Sequence, residues 1–253
     1  MQAAKSITML SAAALMVLAS GQALAGEVVV AVAANFTDAT RDIVSLFEKT
    51  TGHTAKVSFG STGKLYTQIE NGAPFEVFLA ADSNRPEKAE IEGLAVPGSR
   101  FTYAKGKLAL WSIKAGVFDD GEAYIKSLSF SRAAMANPKT APYGLAAQQV
   151  MEHIGVWGQA RPKLVQGDNI AQTFQFAATG NVDVGFVAFS QVKAWKKEPG
   201  SLWEIPDGYY QPIAQQAVLL KKGEGKLAAR AFLDFLKTPE AHRVITGYGY
   251  GLE

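Results

Sequence analysis

Val28 through Ala33 form an unbroken apolar run, which predicts a strand buried on both faces of a sheet. Behind it Phe36, Ala39, Ile43 and Phe47 recur at spacings of three and four. That is one face of a helix, and Thr51-Gly52 closes it. The alternation continues with a strand at 55–59 and a helix through Leu65 and Ile69 that stops at Asn71-Gly72. A strand at 75–80 then precedes a short helix at 85–92, where Pro86 suits a first turn. Further strands are predicted at 107–113, 133–136, 184–188 and 211–220, with an extended lead-in at 163–166. Helices are predicted on Ala146, Val150 and Ile154, over 169–178, and on Ala229, Phe232, Leu233 and Leu236. Strands alternating with helices imply an α/β architecture with mostly parallel sheets. No internal repeat or low-complexity linker divides the chain.

The N-terminus breaks the pattern. Residues 1–25 carry one charge, Lys5, then an apolar stretch around 9–18, and end in Ala23-Leu24-Ala25. These are the three parts of a secretory signal peptide. An uncleaved anchor is the weaker reading, because the apolar core is short for a span of about 20 residues. Ser11, Ser20, Gly21 and Gln22 also interrupt or flank it. Gly26 is the expected first mature residue, and no later segment is long and apolar enough to cross a bilayer, so the mature protein is expected to be soluble.

Composition narrows the function classes. Hydrophobic residues at 48% and charged ones at 19% suit a packed globular protein. The absence of cysteine excludes a disulfide framework, a thiolate nucleophile and a zinc–thiolate site. The formal charge is +2, and the basic residues are scattered; Lys193, Lys196 and Lys197 read as a solvated face. Nucleic acid is therefore not an expected partner. His53, His153 and His242 lack a partner histidine at three or four residues, so no metal-cation site is expected.

The candidate chemistry lies where strands deliver the chain to helix starts, near Ala34-Asn35, Ser61, Tyr143 and Ile170. Helix N-termini expose N–H groups without intrahelical partners and attract anions. Gly60-Ser61-Thr62-Gly63-Lys64 looks like a phosphate-binding P-loop but fails the pattern. Ser58 stands where the first glycine should be, and Leu65 replaces the final Ser or Thr. It also lacks the Gly-x-Ser-x-Gly frame of a nucleophile elbow. Taken alone, Ser61 is equally an anion donor or a plain helix cap, and Asn35 has the same ambiguity. Tyr143 alone reads as a packing aromatic, and Asp168 as the cap of its own helix. The set, in an exported chain, points to an anion receptor.

Several stretches resemble the periplasmic molybdate-binding proteins of ABC-type uptake systems across essentially the whole mature chain. They are Ala31-Val32-Ala33-Ala34-Asn35-Phe36, Phe59-Gly60-Ser61-Thr62-Gly63-Lys64-Leu65, Gln68-Ile69-Glu70-Asn71-Gly72-Ala73-Pro74, Phe78-Leu79-Ala80-Ala81-Asp82, Ala141-Pro142-Tyr143-Gly144, Val184-Gly185-Phe186-Val187-Ala188 and Tyr248-Gly249-Tyr250. The resemblance implies a two-lobed type II periplasmic binding-protein fold, with the ligand cleft between lobes. It implies one lobe of 26–106 with 213–253 and another of 107–212. It further implies a monomeric, non-enzymatic receptor without cofactor that passes molybdate, and tungstate, to a membrane permease.

By position, the family's ligand contacts fall on Ala34 and Asn35, on Ser61 through hydroxyl and amide, and on the backbone N–H groups of Tyr143 and Ile170. Where some members have a tyrosine reaching the oxyanion, this chain has Ala188, and the Asn35 amide is the expected substitute donor. A receptor for another tetrahedral oxyanion such as sulfate is the alternative. A secreted serine hydrolase using Ser61 is a more distant one.

Overall fold

The computed structural model describes residues 25–252, so the expected export signal lies outside the described residues apart from Ala25. The chain begins with β1 (Glu27–Ala33), a 3-10 turn (Ala34–Phe36), α1 (Thr37–Thr51), β2 (Thr54–Gly60), α2 (Thr62–Glu70), β3 (Val77–Leu79), α3 (Asn84–Ile91) and β4 (Phe101–Gly106). It then crosses to β5 (Leu108–Ser112), α4 (Gly121–Ser127), β6 (Ala133–Ala136), α5 (Pro142–Ile154), α6 (Trp157–Ala160), β7 (Leu164–Gly167), α7 (Ile170–Ala178), β8 (Val184–Ala188), α8 (Phe189–Ala194) and β9 (Ser201–Glu204). It returns through β10 (Ile213–Leu219), α9 (Leu227–Phe235) and α10 (Pro239–Gly247).

These elements form two five-stranded sheets, ordered β2-β1-β3-β10-β4 and β7-β6-β8-β5-β9. With their flanking helices they make a two-lobed α/β fold. In each sheet four strands share a direction and one opposes them. That strand is β10 in the first sheet and β5 in the second. In both cases it is the strand that enters from the other sheet.

Burial follows the hydrophobic pattern. Val28, Val30 and Val32 of β1 pack with Ile43 and Phe47 of α1 and Phe232 of α9. Ala31, on the opposite face, packs with Leu65, Ile69 and Phe78. Each large side chain buried this way contributes about 1.5–3 kcal/mol. The helix α1 stops where expected, because Gly52 takes φ +73° and its N–H caps the Glu48 carbonyl. Two strands that the hydrophobic pattern does not announce, β4 and β9, each lie at one edge of their sheet. A half-buried edge carries a weaker apolar signal than a central strand.

Candidate functional site

Four helix starts converge between the lobes. The 3-10 turn after β1 leads into α1, Ser61 precedes α2, Ala141 precedes α5, and Asn169 precedes α7. Ala34, Asn35, Ser61, Tyr143 and Ile170, the five expected site residues, all line one small cavity. Gly60, Thr62, Ala81 and Pro142 complete much of its wall, and none of its lining residues is charged. Each helix start brings the positive end of a macrodipole, about half a charge.

Local packing fixes each corner. Phe36 is fully buried and meets Tyr103 and Tyr250 edge-on, with ring centroids at 4.9 and 5.1 Å. It thereby anchors the turn that carries Ala34 and Asn35. Thr62 Oγ1 accepts from the Ala81 N–H at 3.0 Å and ties the start of α2 to the chain beyond β3. The start of α5 lies directly over the end of β6: a Cβ on Gly144 would fall 2.3 Å from the Ala136 carbonyl oxygen. Gln191 Nε2 donates to the Ile170 carbonyl at 3.2 Å and holds the start of α7 against α8.

Ser61 has the extended backbone of a helix cap but makes no side-chain capping bond. Its Oγ is buried and has no hydrogen-bond partner among the described residues. A buried polar atom left unpaired costs about 1–3 kcal/mol, which is a cost that a ligand can remove. The neighbouring Gly63 has a separate task. Its N–H donates to the Thr140 carbonyl of the other lobe at 2.8 Å, and an added Cβ would lie 3.0 Å from Thr140 Cα.

Two expectations need correction. Asp168 does not cap α7. Asn169, with φ −152° and ψ 174°, is the last extended residue, and its Oδ1 accepts from the Gln172 N–H at 3.0 Å. Asp168 instead pairs with Lys64 across the cavity mouth at 3.0 Å, both side chains being exposed. The Asn35 amide is also not directed to the cavity as a free donor. Nδ2 donates to Gln215 Oε1 at 2.8 Å and to Tyr250 Oη at 3.1 Å, which engages both of its hydrogens. Ala188 is buried, its N–H donates to Gln191 Oε1, and it does not line the cavity.

The sequence assigned no site role to Tyr103 or Tyr250. Both are buried, as is Tyr143, and burial pushes all three phenols well up, so they remain protonated at neutral pH. The Tyr143 hydroxyl occupies space that only a glycine at position 106 allows, since a Cβ there would lie 2.1 Å from Oη. The histidines do not line the cavity. His53 Nδ1 accepts from the Gly26 N–H and its ring stacks on Phe47, while His153 packs on Tyr209. Ser61 thus has no histidine base beside it in the cavity, which a serine hydrolase would need.

This site, built from uncharged donors at helix starts, can be set beside known proteins. A sequence model described as bacterial extracellular solute-binding protein matches residues 28–251. A molybdate-binding protein ModA of Azotobacter vinelandii is 57% identical over 232 residues, covering 91% of this chain and 92% of the relative. The ModA of Rhodobacter capsulatus is 54% identical, covering 97% and 98% of the two chains. The solved periplasmic molybdate-binding protein of Azotobacter vinelandii superposes with a TM-score of 0.85 at 42% identity, covering 89% of this chain and 99% of its own. By sequence and by fold, the chain belongs to the bacterial extracellular solute-binding protein family, as a relative of its molybdate-binding members.

Proposed function

We propose that this protein is an exported receptor that binds molybdate, and also tungstate, and delivers it to the permease of an ABC-type transporter. The buried Ser61 hydroxyl, unpaired where four helix starts meet, carries this reading. Molybdate at neutral pH offers only acceptor oxygens. Ser61 Oγ and the backbone N–H groups of Ala34, Asn35, Ser61, Tyr143 and Ile170 supply donors to match. Helix dipoles spread the compensating charge without any cation in the wall. The protein acts as a binder and not as an enzyme. It works in the periplasm as a monomer, after loss of residues 1–25. Sheet membership supports a division into 26–106 with 213–253 and 107–212.

Calorimetric titration with molybdate, tungstate, sulfate and phosphate tests the reading. Molybdate and tungstate are expected to bind tightly, and sulfate more weakly because its tetrahedron fills the cavity less well. Phosphate should bind weakest of the four. It keeps a proton near neutral pH, the cavity wall holds no carboxylate to accept it, and Asp168 is engaged at the mouth. An unpaired buried proton costs about 1–3 kcal/mol. Ser61→Ala should weaken molybdate binding about 10- to 150-fold, the loss of a hydrogen bond of about 1.5–3 kcal/mol to a charged acceptor. Phosphate binding within tenfold of molybdate, or an unaltered dissociation constant in a folded Ser61→Ala protein, would overturn the donor-only site.

A further inference from the structure

Behind the cavity, a hydrogen-bonded cluster joins residues that lie far apart in sequence and belong to both lobes. Tyr250 Oη donates to the Asn35 carbonyl at 2.8 Å and accepts from Asn35 Nδ2 at 3.1 Å. Ser190 Oγ, from α8 of the second lobe, lies 2.9 Å from Tyr250 Oη and 3.2 Å from the same Asn35 carbonyl. Gln215 Oε1 takes the other Asn35 amide hydrogen and also accepts from the Tyr103 hydroxyl at 3.2 Å. Asn35, Ser190, Gln215 and Tyr250 are all buried. We propose that Tyr250 and Ser190 are positioning residues: together they brace the Asn35 turn from behind and make its hold on the oxyanion depend on the second lobe being docked.

Tyr250 and Ser190 each carry one hydroxyl hydrogen, and those two hydrogens are shared among three contacts, so the two hydroxyls and the Asn35 carbonyl form one coupled network. The Asn35 carbonyl and amide are held at both ends. The turn at Ala34 and Asn35, which lines the cavity, therefore has its orientation set from the rear. The bond to Ser190 joins the lobes, while the bonds to Tyr250 and Gln215 stay within the first. Lobe separation that carries α8 away from the first lobe would break the Ser190 contacts. Entry into an already open cleft need not break any.

This inference rests on the receptor reading above, and the test keeps the two apart. Molybdate association and release would be followed on the full mature chain by stopped-flow tryptophan fluorescence; Trp195 lines a groove beside Ala34 and Arg41. Tyr250→Phe and Ser190→Ala are each expected to accelerate release about tenfold, the loss of about one buried hydrogen bond, with association changed less than about twofold. The double variant should release no more than about twice as fast as Tyr250→Phe alone, because residues of one network are not additive. A merely structural role predicts a lower melting temperature of the ligand-free protein with an unchanged release rate. That result, or fully multiplicative effects in the double variant, overturns the proposal. Should Tyr250→Phe fail to fold, Ser190→Ala decides alone: unchanged release sinks the proposal. A wild-type protein that takes up no molybdate sinks the receptor reading and this inference with it, whereas binding with unaltered variant kinetics sinks the inference only.

Discussion

The lobes meet differently at the front of the cavity and at its back. At the mouth the contacts are charged or main-chain. Lys64 pairs with Asp168, the Gly63 N–H reaches the Thr140 carbonyl, and Arg85 reaches the Lys139 carbonyl at 3.2 Å. At the back they are neutral and buried: Ser190 Oγ meets Tyr250 Oη and the Asn35 carbonyl, with Asn35 and Gln215 bonded to each other behind them in the first lobe. Exposed ion pairs contribute little and are screened by salt. Buried neutral hydrogen bonds are insensitive to salt and costly to leave half-made. The contrast suggests a division of labour in which the front can open readily and the back sets the geometry.

The sharpest way to break the contrast is at Asn35. Asn35→Asp would face an acceptor toward Gln215 Oε1 and place a buried charge beside the oxyanion. Breaking a buried partnership while leaving a charge costs about 3–5 kcal/mol, so molybdate affinity should fall by more than about 100-fold. Asn35→Ala removes donors without adding charge and should cost about tenfold. Equal dissociation constants for the two variants by calorimetry would detach the back network from binding.

Gly63→Val tests the front through shape. Its Cβ would start 3.0 Å from Thr140 Cα, and overpacking of this kind costs about 1–3 kcal/mol. Affinity should drop about tenfold, with small-angle scattering showing a less compact molybdate-bound form. An unchanged scattering curve would mean that the lobes do not close over Gly63. Lys64→Ala should matter less, under about fivefold, and the difference should vanish in high salt. A loss that persists there would contradict the screened-pair account of the mouth.

The smallest effect concerns alkali. The folded state holds the Tyr103, Tyr143 and Tyr250 phenols above their ordinary range by burial. As pH rises past about 10 the unfolded chain loses phenol protons that the folded chain keeps, so stability is full below that pH and declines above it. Melting temperatures measured from pH 9 to 11 should fall more gently for Tyr250→Phe than for wild type. Parallel slopes would mean that Tyr250 does not contribute.

The sequence displayed the cavity better than its support. Ala34, Asn35, Ser61, Tyr143 and Ile170 stand at helix starts, and helix starts leave local marks: an apolar strand, a small or polar residue, then a 3.6-residue period. The supporting contacts leave none. Asn35 lies 215 residues from Tyr250 and 180 from Gln215, and no local pattern reports which distant polar groups will share one buried pocket. Asp168 shows the limit at the finest scale. Asp168 and Asn169 are both good caps by residue type, and the choice between them is made by backbone angles that residue type alone does not fix. Thr238-Pro239 carried a start signal for α10 that could have been read, since Thr238 Oγ1 accepts from the Ala241 N–H and Pro239 opens the helix.

The two sheets exchange one strand each way. The chain leaves the first after Gly106, enters the second at Leu108, and comes back at Ile213; Ile213 itself pairs with Gly106 in the first sheet. The outgoing and returning strands therefore run side by side, like a door hung on two pins. Such a mounting permits one swing and resists twist and sideways slip. In the proposed receptor, four helix starts would separate and return in register on every cycle, so that each newly arriving ion meets the same arrangement of donors.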